Sequence, residues 1–324
     1  MNNQLENKIK NLYNLSTIVS FEKVDKGFLS ENYKLVTKEG EYFLKKYRFN
    51  DEGRIREIHS VKEYFNEGGI SVIMPIKNND NKAYFEIEGS FFAVFPFVSG
   101  IQPERGDLTK DMIISLGKTL GKIHLLGKSS SLKMDKLFKD WSKEKSLETA
   151  SQIELKLKNI AEKNEFDILT QKVVSFKKEL IQASSIKFED LGLKSDHLIH
   201  GDYLDQNVFF DEKGKVKYVF DFEKTGLEPR SQELFRSATY SFLNTDFNDI
   251  SVENIKLFVK SYLEVYPMSK EELENGLMAH YLKSIHSFWV EKEHHLKGNN
   301  RVDLFLEFGF KRIRFMSERL NDLL

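Results

Sequence analysis

Two apolar segments of the chain are each interrupted by acidic and amide side chains. The first is LIHGDYLDQNVFF at residues 198–210, and the second is KYVFDFE at residues 217–223. The polar side chains inside them include His200, Asp202, Asp205, Asn207 and Asp221. Burying such groups costs free energy unless they have partners. The pattern therefore predicts short buried strands whose ends carry a functional site.

The spacing of these polar residues matches the catalytic loop of protein kinases. Asp202 and Asn207 are five positions apart, and His200 stands two before the aspartate, as in H-x-D-x-x-x-x-N. In that loop the aspartate orients the acceptor hydroxyl and takes its proton, while the asparagine holds a metal ion. Asp221 follows an apolar run where kinases carry the aspartate of Asp-Phe-Gly. Such oxygen ligands suit Mg²⁺.

HGDYLDQNVFF followed by VFDFE resembles the aminoglycoside phosphotransferase/choline kinase superfamily, the small-molecule relatives of protein kinases. The resemblance covers most of the chain in element order, but only residues 200–223 are specific. It implies that Asp202 is the catalytic base, that Asn207 and Asp221 bind Mg²⁺, and that His200 is a hydrogen-bonded structural residue. A polar hairpin with a buried histidine would explain either half of the motif alone, but not both halves in order.

The order of elements agrees with an α+β, protein-kinase-like fold of two lobes. A small antiparallel sheet with one key helix, at residues 53–69, is expected first, and a larger, mostly helical lobe follows. Ser99-Gly100 is the predicted boundary, with a nucleotide-binding lobe at 1–99 and a catalytic and acceptor-binding lobe at 100–324. The predicted strands of the first lobe are TIVSFEKV, NYKLVT, EYFLKKY, SVIMPI, AYFEIE and SFFAVFPFV.

A kinase needs a strand lysine for the α- and β-phosphates and a helix glutamate that steadies it. Lys45 matches the lysine of the family's (V/Y)-x-L-K pattern. Alternation along a strand places Lys46 on the opposite face, and it is the competing choice. For the glutamate, Glu57 lies early in the next helix, and Glu63 is the alternative.

Other nucleotide contacts follow from position in the resemblance. The loop DKGFLSEN, residues 25–32, lies where kinases cover the phosphates, and Ser30 and Asn32 are its possible donors. The loop lacks the G-x-G-x-x-G pattern. Without its position in the resemblance it would be interpreted as an ordinary hairpin turn. Phe95 and Phe97 lie in the segment that matches the lobe-connecting hinge, whose backbone would pair with adenine.

The acceptor site is expected in the helical lobe, where the sequence is least informative. FWVEKEHH, residues 288–295, offers Trp289 and Glu291 as possible acceptor contacts, although a solvated helix end explains these residues at least as well. A metal site at His294 and His295 is disfavoured, because neighbouring residues on a helix point about 100° apart.

Two further motifs of the sequence bear on the site. PRSQELFRS, residues 229–237, resembles the family's Pro-x-x-x-Asp-Leu segment, in which the acid supports the catalytic loop, and Glu233 keeps that charge. Gly127-Lys128-Ser129 ends like a Walker A loop, but Lys122 occupies the position of the first glycine. That stretch also leaves a helix rather than a strand, so Gly127 is predicted to cap a helix C-terminus.

Composition narrows the remaining classes. The 324 residues carry a net charge of −1, which indicates no general attraction to nucleic acid or anionic membranes. The absence of cysteine excludes disulfides and thiolate nucleophiles and fits a reducing cytosol. The first residues lack a signal-peptide core, and no apolar run reaches membrane-spanning length, so a cytoplasmic protein is expected.

The sequence therefore predicts an ATP- and Mg²⁺-dependent O-phosphotransferase, with GTP as the other possible nucleotide. Its acceptor would be a small, amine-bearing molecule such as an aminoglycoside or amino sugar. The alternatives are a metabolic kinase of the homoserine or choline type, a protein kinase, and an inactive nucleotide-binding protein. Missing Gly-rich and Ala-Pro-Glu segments disfavour a protein kinase. The filled positions Asp202, Asn207, Asp221 and Lys45 disfavour an inactive one.

Overall fold

The structure is a computed structural model. It describes the residues 3–15, 17–24, 31–104, 106–134, 141–243 and 250–324. The chain forms two compact units, one of Met1–Ile101 with Lys217–Phe222 and the other of Gln102–Val216 with Glu223–Leu324. The short segment that carries Asp221 therefore belongs to the first unit. The predicted lobe boundary at residues 99 and 100 stays a prediction.

The first unit contains the predicted antiparallel sheet. Its five strands are β1 (Ile18–Val24), β2 (Glu31–Thr37), β3 (Glu41–Lys46), β4 (Phe85–Ile87) and β5 (Ser90–Pro96). They are ordered β1-β2-β3-β5-β4, and each neighbouring pair is antiparallel. Consecutive short segments with tight turns pair with their neighbours in this way because hairpins need few connecting residues. The predicted fold class is confirmed.

Two helices accompany the sheet, α1 (Asn3–Tyr13) and α2 (Glu52–Glu67). Successive side chains of β5 point to opposite faces. Phe92 and Val94 pack in a core cluster with Ile9 of α1, while Ala93 packs in a second cluster with Ile55 of α2. The strand is therefore buried on both faces, which explains its uninterrupted apolar sequence. Asp51 caps α2 by accepting a hydrogen bond from the backbone of its first turn.

One predicted strand is absent from the described part of the chain. SVIMPI, residues 71–76, has the right composition, but only Val72 makes a ladder contact, a parallel bridge to Val219. The backbone of Val219 exchanges hydrogen bonds with Ser71 and Ile73, at 2.8 and 3.1 Å. The start of the segment is extended because it pairs with the chain next to Asp221, and at its end the Ile76 amide donates to Val94 of β5 at 2.7 Å.

The second unit is mostly helical, as predicted. Its helices are α3 (Lys110–Lys128), α4 (Lys143–Lys158), α5 (Glu165–Ala183), α6 (Arg230–Ser241), α7 (Val252–Leu263), α8 (Lys270–Ile285), α9 (Trp289–Lys297) and α10 (Phe305–Arg319). The short strands of the intervening segment are β6 (His197–Ile199), β7 (Val208–Phe210), β8 (Val216–Val219), which begins in the second unit and continues in the first, and β9 (Gly226–Glu228). β6 and β9 pair antiparallel. No described helix combines the length and the apolar character that crossing a membrane requires.

Gly127 is not the helix cap that the sequence predicts. It lies inside α3, which continues to Lys128 and is capped by Ser129. A Cβ atom on Gly127 would lie 1.9 Å from the carbonyl oxygen of Leu198 in β6. The glycine therefore allows α3 to contact the strand that leads into the predicted catalytic loop.

Candidate active site

The loop after β6 is shaped by close backbone contacts. Gly201 has φ +82°, and a Cβ atom there would lie 1.7 Å from the carbonyl oxygen of Lys224. Only glycine combines that backbone angle with that contact. Asn207 closes the loop, because its Nδ2 donates to the backbone oxygen of Asp202 at 2.7 Å. This geometry accounts for a glycine between the histidine and the aspartate.

Asp202 is held by two cations in the second unit. Lys224 Nζ lies 2.9 Å from its Oδ2, and Arg236 Nη2 donates to its Oδ1. The side chain of Asp202 is 17% exposed. Burial disfavours its ionised form, but the charges of Arg236 and Lys224 outweigh burial and hold the pKa of Asp202 well below its usual range. The predicted base is therefore an oriented carboxylate at neutral pH.

Two buried side chains hold the loop from inside the protein. Glu233 accepts a hydrogen bond from the Gly201 amide at 2.5 Å, and its other oxygen lies 2.8 Å from His124 Nε2. Burial raises the pKa of Glu233, but the hydrogen bond and charge of His124 outweigh it and lower the pKa. His200 Nδ1 accepts from the Asp202 amide at 3.2 Å. Both residues position the backbone of the loop.

In the first unit, Lys45 forms an ion pair with Asp221. Lys45 Nζ lies 2.9 Å from Asp221 Oδ1, and the Asp221 side chain is 37% exposed. Lys46 pairs with Glu31 instead, at 3.3 Å. This arrangement favours Lys45 over Lys46 as the strand lysine. Asp221 has φ +65°, a left-handed backbone that non-glycine residues rarely adopt and that occurs often at functional sites.

The glutamate predicted on α2 is not among the buried residues of that helix. Glu57 accepts a hydrogen bond from Arg54 at 3.1 Å, and Glu63 is exposed. The buried polar residues of the helix are His59 and Lys62. Neither was predicted from the sequence. His59 follows Ile55 by four residues and Lys62 follows Ile58 by four, so their positions on the apolar face were the available signal. The pairing of Glu57 with the strand lysine stays a prediction.

The other predicted nucleotide contacts are spread along the first unit. Asn32 is buried in β2 and lies opposite the strand lysine in register. Phe95 is buried, and Lys62 Nζ lies 4.6 Å from its ring centroid. Phe97 is 43% exposed, and its amide donates to the backbone of β3 at 3.3 Å. Ser30 lies outside the described residues. Their contacts with a nucleotide stay predictions.

The two predicted acceptor residues on α9 differ in environment. Trp289 is exposed, whereas Glu291 is 1% exposed. Glu291 Oε1 lies 2.6 Å from Lys177 Nζ, which also donates to the Ser287 carbonyl at 2.7 Å. A carboxylate in such a buried pair stabilises the packing of α5 against α9. Acceptor binding by Trp289 and Glu291 stays a prediction.

The neighbouring histidines lie closer together than the sequence argument anticipates. The rings of His294 and His295 are 4.6 Å apart, and with Asp167 they place one ligand atom each within 4.8 Å of one another. Protein partners already occupy these groups. His294 Nδ1 lies 2.8 Å from Asp303, and His295 Nε2 lies 3.2 Å from Thr170 Oγ1. We therefore assign these residues to helix packing.

The sequence also did not predict Lys224 and Arg236 as residues of the site. Lys224 directly follows KYVFDFE, and Arg236 stands three residues after Glu233 in PRSQELFRS. Residues three apart share a helix face, so the supporting acid and the arginine lie on one side of α6. That spacing was the only local signal of a cation beside Asp202.

Comparison with known proteins agrees with this architecture. The chain belongs to the phosphotransferase enzyme family (APH), whose profile matches residues 20–254. Homoserine kinases of Bradyrhizobium diazoefficiens and Gluconobacter oxydans are 23% identical over 126 residues and 25% identical over 118 residues. These alignments cover 37% and 36% of the chain and the same shares of the two relatives.

Solved structures share the fold over nearly the whole chain. A microcompartment-associated aminopropanol kinase has a TM-score of 0.66 at 14% identity and covers 100% of this chain and 99% of its own. A spectinomycin phosphotransferase has a TM-score of 0.65 at 17% identity, with 97% and 94% covered. At such identities the likeness defines the fold, and it is the protein-kinase-like fold of small-molecule kinases.

Proposed function

We propose that this protein is an ATP- and Mg²⁺-dependent O-phosphotransferase that phosphorylates a hydroxyl group of a small molecule. The observation that carries the proposal is the closed loop in which the Asn207 amide nitrogen binds the Asp202 backbone. That contact leaves the Asp202 carboxylate to act on an acceptor. Family membership supports the same reaction class.

The residues fit the nucleotide and metal that the reaction needs. Asp221 supplies a carboxylate, and Asn207 supplies an amide oxygen because its nitrogen is already used. Mg²⁺ prefers such oxygen ligands together with water and phosphate. When bound, the ion would neutralise phosphate charge. Relatives solved with ADP, or with AMP-PNP and Ca²⁺, support a nucleotide and a divalent ion.

The roles of the chain's own residues follow from their contacts. Asp202, kept ionised by its cations, orients the acceptor hydroxyl and accepts its proton as the oxygen bonds to the γ-phosphorus. The bond from that phosphorus to the β-phosphate oxygen breaks, and ADP leaves. Lys45 would bind the nucleotide phosphates. Gly201, Glu233 and His200 fix the backbone that carries Asp202.

The acceptor class has two candidates. An aminoglycoside or amino sugar fits the relative that was solved with spectinomycin. A metabolic alcohol of the homoserine or choline type is the second, and the homoserine kinase matches favour it. A protein kinase or an inactive nucleotide-binding protein has less support, since the predicted catalytic positions are filled.

An acceptor screen tests the proposal. Purified protein with Mg-ATP is assayed for ADP release above the no-acceptor background, using aminoglycosides, amino sugars, choline and homoserine. Release that depends on one small acceptor, with a phosphorylated product by mass spectrometry, is expected. Steady turnover of a protein substrate and of none of the small molecules would overturn the proposal.

A further inference from the structure

A buried arginine of the second unit has no carboxylate partner among the described residues. Arg312 on α10 is 4% exposed. Among the described residues it forms no ion pair, and its Nε has no hydrogen-bond acceptor. Its Nη1 lies 3.1 Å from Nε2 of His280. Burial keeps His280 neutral by lowering its pKa far below the usual value, so the ring supplies no negative charge.

A guanidinium in this environment is costly. Removing a charge from water without a counter-charge is unfavourable, and buried arginines are therefore normally paired. Burial lowers the pKa of Arg312, the charge of Arg236 lowers it further, and Tyr240 alone opposes them. No carboxylate contributes to the shift. An anion bound here would therefore stabilise the charged form of Arg312.

Arg312 is linked to the predicted catalytic base through α6. Its guanidinium carbon lies 3.9 Å from the ring centroid of Tyr240, and that of Arg236 lies 4.8 Å from the same centroid. Arg236 in turn donates to Asp202. Two guanidinium groups therefore flank one aromatic ring, and one of them contacts Asp202.

Not every cation around this ring has a carboxylate partner among the described residues. The cations are Lys224, Arg236 and Arg312. Arg236 and Lys224 lower the pKa of Asp202. His124, which pairs with Glu233, and Arg236 lower the pKa of Glu233. Nη1 of Arg236 is buried and, within the described part of the chain, has no acceptor. Two buried guanidinium N–H donors, Arg312 Nε and Arg236 Nη1, are therefore left for a ligand.

We propose that Arg312 and Arg236 bind a carboxylate of the acceptor, so that the substrate is a small hydroxy acid or a hydroxyl-bearing amino acid. Guanidinium groups bind carboxylates through directed N–H···O bonds and stay charged when buried. A polycationic sugar would meet the like charges of Lys224 and Arg236 beside Asp202 and that of Arg312 beyond Tyr240. The inference rests on the proposed phosphotransferase activity and names its acceptor class.

The transferred phosphoryl group is the other anion that could accept hydrogen bonds from these two arginines. Pairs of acceptors that differ only in having a carboxylate or a carboxamide distinguish it from a substrate carboxylate. L-homoserine and L-serine are each compared with their carboxamides for ADP release and, in the presence of Mg-ADP, for calorimetric binding. We expect at least one acid to exceed its amide about 10- to 100-fold, the range for hydrogen bonds to charged groups. Equality of acid and amide in both measurements overturns the inference.

Single substitutions test whether Arg312 binds the carboxylate of the acceptor. Arg312→Gln should raise KM for the acid about 10- to 100-fold and leave KM for Mg-ATP unchanged, while Arg312→Lys should retain part of the preference. Arg314→Gln is the control, because Arg314 lies on the exposed surface of the same helix and pairs with Glu318 at 3.0 Å. An equal fall in kcat for acid and amide would assign the arginine to the phosphoryl group and overturn the acceptor role.

The two proposals fail separately. If no acceptor of any kind releases ADP, the phosphotransferase proposal fails, and acid-versus-amide binding still decides the anion site. If aminoglycosides or choline are turned over and no acid binds, the phosphotransferase proposal stands and the carboxylate inference is wrong. Circular dichroism establishes that each variant is folded. The acid and amide pairs on the unmodified protein need no variant.

Discussion

Asp221 in the first unit and Asp202 in the second are both acidic side chains paired with cations, but in different ways. Asp221 accepts from Lys45 at 2.9 Å and is 37% exposed. Asp202 binds Lys224 and Arg236 together and is 17% exposed. The two aspartates have different proposed tasks, and their partners differ accordingly.

The difference indicates which partner can leave. A metal ligand must exchange its protein cation for the ion, and a lysine on a long, flexible side chain permits that exchange. A catalytic base must instead stay ionised and oriented throughout the reaction. Arg236 is largely buried behind Asp202 and supplies that orientation. Substitutions in the two regions should therefore change different measured quantities.

The largest effect is expected at the base. Asp202→Asn keeps the size of the side chain but removes its ability to accept a proton, so kcat should fall about 10²- to 10⁴-fold. Calorimetry should show nearly unchanged Mg-nucleotide binding. Asp211→Asn, in the turn after β7 where Asp211 accepts from the Lys213 and Lys215 amides, is the control and should keep full activity. Full activity of Asp202→Asn with the true acceptor would remove the assigned role.

The buried ion pair of Lys177 and Glu291 has no proposed catalytic task and serves as a reference for both regions. Lys177→Met leaves the Glu291 carboxylate buried and unpaired, and the free energy of unfolding should fall by about 3–5 kcal/mol. Lys178→Met is the control, because Lys178 pairs with Glu154 near the surface, where loss should cost less than about 1 kcal/mol. Urea unfolding measures both. A stable Lys177→Met protein with a raised KM for the acceptor would return Glu291 to the acceptor site.

Local sequence patterns were sufficient for the loop and insufficient for its surroundings. Asn207 donates a hydrogen bond to the backbone of Asp202, five residues earlier, so the spacing of the two residues in the sequence is enough to predict their contact. Arg312 reaches the same neighbourhood from α10, and no spacing links it to α6. Contacts between distant segments depend on packing, which a single sequence does not encode as a local period.

The same reason explains the elements that were predicted wrongly. SVIMPI has strand composition, but its backbone partner is Val219, far along the chain. Gly127 has the residue type of a helix cap, but its lack of a side chain serves the approach to Leu198. By contrast, the strands of the sheet were predicted well because neighbours in sequence are neighbours in the sheet for β1, β2 and β3.

A smaller effect is expected on the nucleotide side. Lys45→Met removes a charge-assisted contact to the phosphates, which is worth about 1.5–3 kcal/mol, so affinity for Mg-nucleotide should fall about 10- to 100-fold. Lys46→Met is the matched control, since Lys46 pairs with Glu31. Titration with a fluorescent nucleotide measures both proteins. A stronger loss in Lys46→Met than in Lys45→Met would reverse the assignment of the strand lysine.

The smallest effect concerns stability at mildly acidic pH and involves the first region alone. Burial lowers the pKa of His59 to about 3, with added repulsion from Lys62 and Lys45, and His59 lies 2.6 Å from the Tyr47 hydroxyl oxygen. The unfolded chain binds this proton near pH 6.5 and the folded chain does not. Stability is therefore unaffected by His59 above pH 6.5 and falls below it, by at most about 1.4 kcal/mol per pH unit.

Urea unfolding at pH 7, 6 and 5 tests this dependence through differences between variants, because other histidines also titrate. His59→Gln should lose less stability than the unmodified protein between pH 7 and 5. Lys45→Met should show a smaller reduction in the same direction, since the charge of Lys45 is one cause of the low pKa of His59. Lys46→Met should keep the original slope. If all four proteins lose stability equally, the charge of Lys45 does not reach the buried face of α2, and its influence in the first region is limited to Asp221.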